Sequence, residues 1–283
     1  MSPEQRVQVP GPASASARLL VAGDTHGNSW WLHRLASLAV ELGCDGVVQL
    51  GDFGFWPDQR TLRAYGWATI DNRWLDEIAD IYTAKGVWLR VIDGNHDAHP
   101  LVRESYPADP NGVRPLRDSV LDWADRGSVW GWHGRRFGAL GGGVSIDRHL
   151  RVEGESWWPT ETVIDEEVDT LIARGTSGLD VLFTHDAPMR PPGLPPLGDV
   201  ALRADCAASI GRIARAVEAT EPRLLLHGHY HRRYTGSYGS VRVEGLASDI
   251  EAPRPGSWAV LDLADLAVTE PVVAGLSNGS LWA

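Results

Sequence analysis

Leu224-Leu225-Leu226-His227-Gly228-His229-Tyr230-His231 is a leucine run that stops abruptly at three alternating histidines set around a glycine. Leucines at that density read as a buried strand. Imidazole is among the commonest transition-metal ligands. A core strand ending in imidazoles can deliver metal ligands from its own tip. A His-rich surface turn would give the same eight residues, so the stretch gains weight only if other parts of the chain repeat its design.

Four other segments repeat it. Arg18 to Gly23 reads as a short buried strand and runs into Asp24-Thr25-His26. Asp45 to Leu50 ends in Gly51-Asp52, and Val87 to Ile92 in Asp93-Gly94-Asn95-His96-Asp97. Asp180 to Thr184 ends in His185. Between the first three strands lie amphipathic stretches. Ser29–Leu42 carries Asn28 as N-cap and stops at Gly43, and a second runs from about Trp67 to Ala84. That βαβαβ order predicts parallel crossovers. In open α/β sheets ligands bind beyond the carboxyl ends of the strands. One Asp or Asn at a tip is ordinary turn chemistry; five tips with ligand chemistry point to one metal site.

The remainder is less regular. Segments near Val129–Trp132 and Arg136–Leu140 read as paired antiparallel strands, and Gly141-Gly142-Gly143 opens a long loop to about Pro159. A loop of that length in a compact domain is usually functional or disordered. Thr160 is expected to cap an acidic helix reaching about Ala173, and a further helix is expected from about Ala204 to Ala219. Short strands follow near residues 241–243, 258–261 and 267–269. Residues 1–17 read as a flexible tail and 18–283 as one domain of two sheets.

Composition narrows the function classes. The net charge of −11 argues against non-specific binding to a nucleic-acid backbone. No apolar run reaches the ~18–20 residues that span a bilayer. The start of the chain lacks the apolar core of a signal peptide, and Cys44 and Cys206 form no framework. A cytoplasmic protein is the expectation. The ligand types are carboxylate, amide and imidazole without thiolate, which suits Mn²⁺ first and also Fe or Zn²⁺. They are too many for one tetrahedral ion, and two divalent ions about 3.5–4 Å apart would use them all.

Taken together, Asp24-Thr25-His26, Gly51-Asp52, Gly94-Asn95-His96-Asp97, His185 and Gly228-His229-Tyr230-His231 resemble the signature of the calcineurin-like metallophosphoesterase superfamily. The resemblance implies a four-layer α/β/β/α sandwich of two mixed sheets, with a dinuclear metal centre at the strand ends. It implies that Asp24, His26 and His231 hold one ion, that Asn95, His185 and His229 hold the other, and that Asp52 bridges. It implies that His96 contacts the phosphate or protonates the leaving group, oriented by Asp97. Metal coordination lowers the pKa of water to about 7, which supplies hydroxide at neutral pH.

Two departures point within the family. The protein serine/threonine phosphatases follow Gly-Asp with Asp-Arg-Gly and end the later motif in Glu. Here Gly51-Asp52 runs into Phe53-Gly54-Phe55-Trp56, and the motif ends in Asp97. The matching phosphate-clamping arginine is absent, which favours the phosphodiesterase-like bacterial branch. Arg148 and Arg151, in the 143–159 loop, are the expected replacements, ahead of Arg60 and Arg63. Trp56 is a candidate to stack on a base, whereas the helical spacing of Trp31 and Trp74 marks core. The expected activity is metal-dependent hydrolysis of a phosphodiester of a nucleotide or similar small molecule. The alternatives are a phosphomonoesterase acting on nucleotides or proteins, and a non-catalytic metal-binding scaffold.

Overall fold

The structure, a computed structural model, describes residues 17–55, 72–118, 120–249 and 256–273. Trp56, Arg60, Arg63 and residues 1–16 of the expected tail lie outside these. The chain opens with β1 (Arg18–Ala22), α1 (Ser29–Glu41), β2 (Gly46–Gln49), α2 (Asn72–Lys85) and β3 (Trp88–Val91). Next come α3 (His99–Ser105), β4 (Val113–Arg117), β5 (Leu121–Ala124), β6 (Ser128–Trp132) and β7 (Arg135–Leu140). Then follow α4 (Asp165–Arg174), β8 (Val181–Thr184), α5 (Val200–Thr220) and β9 (Leu224–His227). β10 (Tyr234–Tyr238), β11 (Val241–Gly245), β12 (Trp258–Asp262) and β13 (Val268–Thr269) complete the order.

The strands form a seven-stranded sheet, β13-β12-β1-β2-β3-β5-β4, and a six-stranded sheet, β10-β11-β9-β8-β7-β6. The centre of each is parallel: β1, β2, β3 and β5 in the first, and β11, β9, β8 and β7 in the second. Antiparallel strands close the edges. Both sheets are therefore mixed. The near-continuous apolar runs of the central strands follow from burial on both faces.

Side-chain alternation sets the layers. Leu19, Val21, Val48 and Leu50 of the first sheet meet Phe137, Phe183, Leu224 and Leu226 of the second. The alternate residues Leu20, Ala22, Val47 and Leu89 pack outward on Trp31, Leu35 and Trp74. Leu140, Leu182 and Leu225 pack outward on Val168, Leu171, Ile213 and Val217. This is the four-layer α/β/β/α sandwich that the resemblance implied. Trp31 and Trp74 are buried core residues, as their spacing predicts.

Two local expectations change. The helix expected to start at Thr160 starts at Asp165, and the Ile164 N–H finds its acceptor in Glu167 Oε2 at 3.1 Å. Thr160 faces His99 instead, with its Oγ1 3.0 Å from Nε2. The helix expected from Ala204 begins at Val200, because Asp199 caps it through the Leu202 N–H at 2.6 Å. β10 alternates intermediate and exposed residues, and β4 buries only Val113 and Leu116, which blurs the apolar pattern of both. No helix among the described residues is long and apolar enough to cross a membrane.

Candidate metal centre

The parallel strands of both sheets end at one rim of the sandwich, where the polar tips meet. Asp24, just beyond β1, is buried, and its Oδ1 accepts the His229 N–H at 3.0 Å. Its Oδ2 stands 2.9 Å from His231 Nε2, yet no hydrogen bond of good geometry reaches it. Asp24, His26, Asp52 and His231 each offer one ligand atom, all within 4.8 Å of one another. An orphaned buried carboxylate oxygen inside such a group is the chemistry a divalent cation fits.

Asp52 faces two ways. Its Oδ2 lies 3.6 Å from His26 Nε2, and its Oδ1 lies 3.4 Å from His185 Nε2. Asn95 Oδ1 is 3.1 Å from the same His185 nitrogen. His185 Nδ1 donates to the Leu50 carbonyl at 2.7 Å, which leaves Nε2 as the nitrogen facing the site. The His229 ring lies 4.9 Å from that of His185. Four of the expected ligands, Asp24, His26, Asp52 and His231, thus form one cluster, and His185, Asn95 and His229 lie beside it on the other side of Asp52.

The backbone around them is strained. Among the described residues, seven non-glycine residues have positive φ, and four are His26 (44°), Asp52 (53°), His229 (66°) and His231 (50°). Each such position costs about 1–3 kcal/mol and persists only where its surroundings over-determine it. Gly228 is required for a different reason: a Cβ there would overlap Asp24 Oδ1. That is how the chain passes so near the site between two of its histidines.

Charge is balanced within the cluster. Burial alone would raise the Asp52 carboxyl, but His185, His96 and His26 hold it well below the usual carboxylate range. Burial opposes a charge on His185, yet Asp52 and Asp24 push it up to about 10. His96 is half-buried, edge-on to His26 at 5.5 Å. Burial, Arg151 and His26 hold it down to about 3 against the pull of Asp52.

Asp97, expected to orient His96, is bound to backbone on both oxygens. Asp97 Oδ1 accepts the Gly54 and Phe55 N–H groups, both at 2.8 Å. Its Oδ2 accepts those of Phe53 at 3.2 Å and Gly94 at 2.8 Å. A carboxylate has about four lone-pair sites, so these bonds use them up. Asp97 ties together the loops that carry Asp52 and Asn95. Arg151 lies against His96, with Nη2 2.8 Å from Nδ1. Asp147 holds Arg151 at 2.7 Å, and the Arg151 Nη1 is buried without a partner. Arg148, also expected to contact substrate, is paired with Asp205 at 2.7 Å. It lines a cleft of about 350 Å³ with Trp157, Glu161 and Arg212.

Several supporting residues escape sequence reasoning. Asn95 Nδ2 donates to Ser145 Oγ at 3.1 Å, and Ser145 donates to the buried Glu161 at 2.5 Å. Arg126 is fully buried against Asp93. Asp249 lies 2.8 Å from His26 Nδ1. Asp249 alone carried a signal, because it follows β11, a parallel neighbour of β9 and hence a sixth strand tip at the same rim.

The calcineurin-like phosphoesterase family model matches residues 17–233, and the chain belongs to that family. It is a metallophosphoesterase, and the family works with a dinuclear divalent metal site. Among solved structures it is similar to TT1561 of Thermus thermophilus, at 14% identity and TM-score 0.57, covering 91% of this chain and 99% of that one. It is also similar to a dimetal phosphatase from Danio rerio, at 14% identity and TM-score 0.55, covering 88% and 93%. At these identities the likeness is one of fold. No curated protein matches the chain by sequence.

Proposed function

We propose that this metallophosphoesterase hydrolyses a phosphodiester of a nucleotide or similar small molecule, with Mn²⁺ as its working metal, in the cytoplasm. In this reading Asp24, His26 and His231 hold one ion and Asn95, His185 and His229 the other. Asp52 would lie between them, with Oδ2 facing His26 and Oδ1 facing His185, the two-sided placement that carries the assignment. Ions held there supply Lewis acidity and water of lowered pKa.

The chain's own residues position the ester. Arg151 Nη1, buried and unpartnered, is free to donate to a non-bridging phosphoryl oxygen. His96 meets the substrate as a neutral ring. An anionic phosphoryl group beside it raises its pKa, so that it takes up a proton from water and can pass it to the leaving oxygen. Free Cys44 and Cys206 are consistent with a reducing compartment.

The test compares turnover of bis-(p-nitrophenyl) phosphate and p-nitrophenyl phosphate in Mn²⁺. Faster diester cleavage, lost in Asp52→Asn, is expected. Exclusive cleavage of the monoester would overturn the diester assignment and leave a phosphomonoesterase.

A further inference from the structure

We propose that Asp249 is a positioning residue for the metal centre: it fixes which nitrogen of His26 faces the ions. The inference rests on the reading of His26 as a ligand. Asp249 comes from the connection after β11, 223 residues from His26 in the chain, and its Oδ1 lies 2.8 Å from His26 Nδ1. Its Oδ2 accepts from Asn28 Nδ2 at 3.2 Å. Its own N–H donates to the Asp24 carbonyl at 2.8 Å. Three contacts thus bind it to the segment that carries both Asp24 and His26.

The direction of each bond follows from the groups. Asn28 uses its Oδ1 to accept the Trp31 N–H at 3.1 Å and cap α1, so only its Nδ2 is left to face Asp249. A carboxylate only accepts. The proton between His26 and Asp249 therefore sits on His26 Nδ1, and Nε2 is the nitrogen turned towards Asp52. A ring free to take the other tautomer would present an N–H where the cation needs a lone pair. His26 also holds a left-handed backbone conformation, so the bond to Asp249 fixes the ring plane as well. Partners of this kind typically contribute 10–100-fold in metal affinity.

The experiment titrates the metal-free full-length chain with Zn²⁺ by calorimetry, in the natural sequence and in Asp249→Ala, Asp249→Asn and His26→Ala. The His26 ring is followed in parallel by long-range ¹H–¹⁵N spectra. In Asp249→Ala one of the two Zn²⁺ affinities should fall ~10–100-fold, the other should stay within about twofold, and the His26 Nδ1–H signal should be lost. Asp249→Asn keeps an acceptor for His26 and should lose less than Asp249→Ala. If both affinities hold in Asp249→Ala while His26→Ala loses one ion, the inference on Asp249 is wrong and the ligand reading stands. If His26→Ala itself keeps both ions, the ligand reading fails first. An equal fall at both sites with the Nδ1–H signal intact would mark Asp249 as a general structural residue and overturn the proposal.

Discussion

Arg126→Met is expected to be among the most damaging single changes away from the metal ligands. Arg126 and Asp93 are both 1% exposed at the side chain. Nε and Nη2 donate to Asp93 Oδ2, at 2.7 and 2.5 Å. Nη1 donates to the Thr160 and Thr162 carbonyls at 3.0 and 2.8 Å, and Nη2 to that of Glu161 at 2.8 Å. All five guanidinium donors are therefore used. Methionine matches the length of the stem but leaves the Asp93 charge buried and unpaired, which costs about 3–5 kcal/mol. A typical domain is stable by only ~5–15 kcal/mol. Urea unfolding of the metal-free protein should show the loss as a lower midpoint at unchanged slope. Asp93→Asn in the same background removes the stranded charge and should recover more than half of it. A loss below about 1 kcal/mol, or no recovery in the double variant, would refute the argument.

His96→Ala should lower kcat by ~10²–10⁴ while both ions still bind, as measured by turnover and metal content. His227→Ala should leave both ions in place, because His227 is held by Tyr234 Oη at 2.7 Å and by the Gly228 carbonyl at 2.9 Å; its cost should appear as ~1–3 kcal/mol of stability in urea. Burial, Arg126 and Arg103 hold the His99 pKa down to about 2. The unfolded chain therefore binds this proton near pH 6.5 while the folded chain does not. Stability from this group is full above pH 6.5 and falls as the pH drops towards 2, by ~2 kcal/mol at pH 5. His99→Gln should flatten that part of a melting-versus-pH curve, and an unchanged acid limb would count against it.

What could be read from the sequence divides along the range of the interactions. The central strands announce themselves because both faces are buried, so an apolar run and its polar tip are visible without a partner. α1 is bounded by its own cap and glycine. β10 has no such run, and its pairing with β11 depends on contacts a sequence does not display. Asp97 shows the same limit in the site. Its place in the Asn-His-Asp motif points to the adjacent residue, and nothing in the motif shows the four backbone N–H groups, from two loops, that it also accepts. Arg148 and Arg151 are three positions apart in one loop. Their fates separate because Asp205, on α5, draws one outward and Asp147 steers the other inward.

The seven proposed ligands come from two sheets. Asp24, His26, Asp52 and Asn95 follow strands of the first, and His185, His229 and His231 follow strands of the second. Each ion would draw on both. The centre is then a clasp as well as a catalyst, closing the open rim of the sandwich as a rivet joins two plates. Chelation should loosen that rim before it loosens the interior. Hydrogen exchange at the β1–α1 and β9–β10 turns would then quicken while the leucines of β9 stayed protected, so that metal loss registers first as mechanical play between two halves.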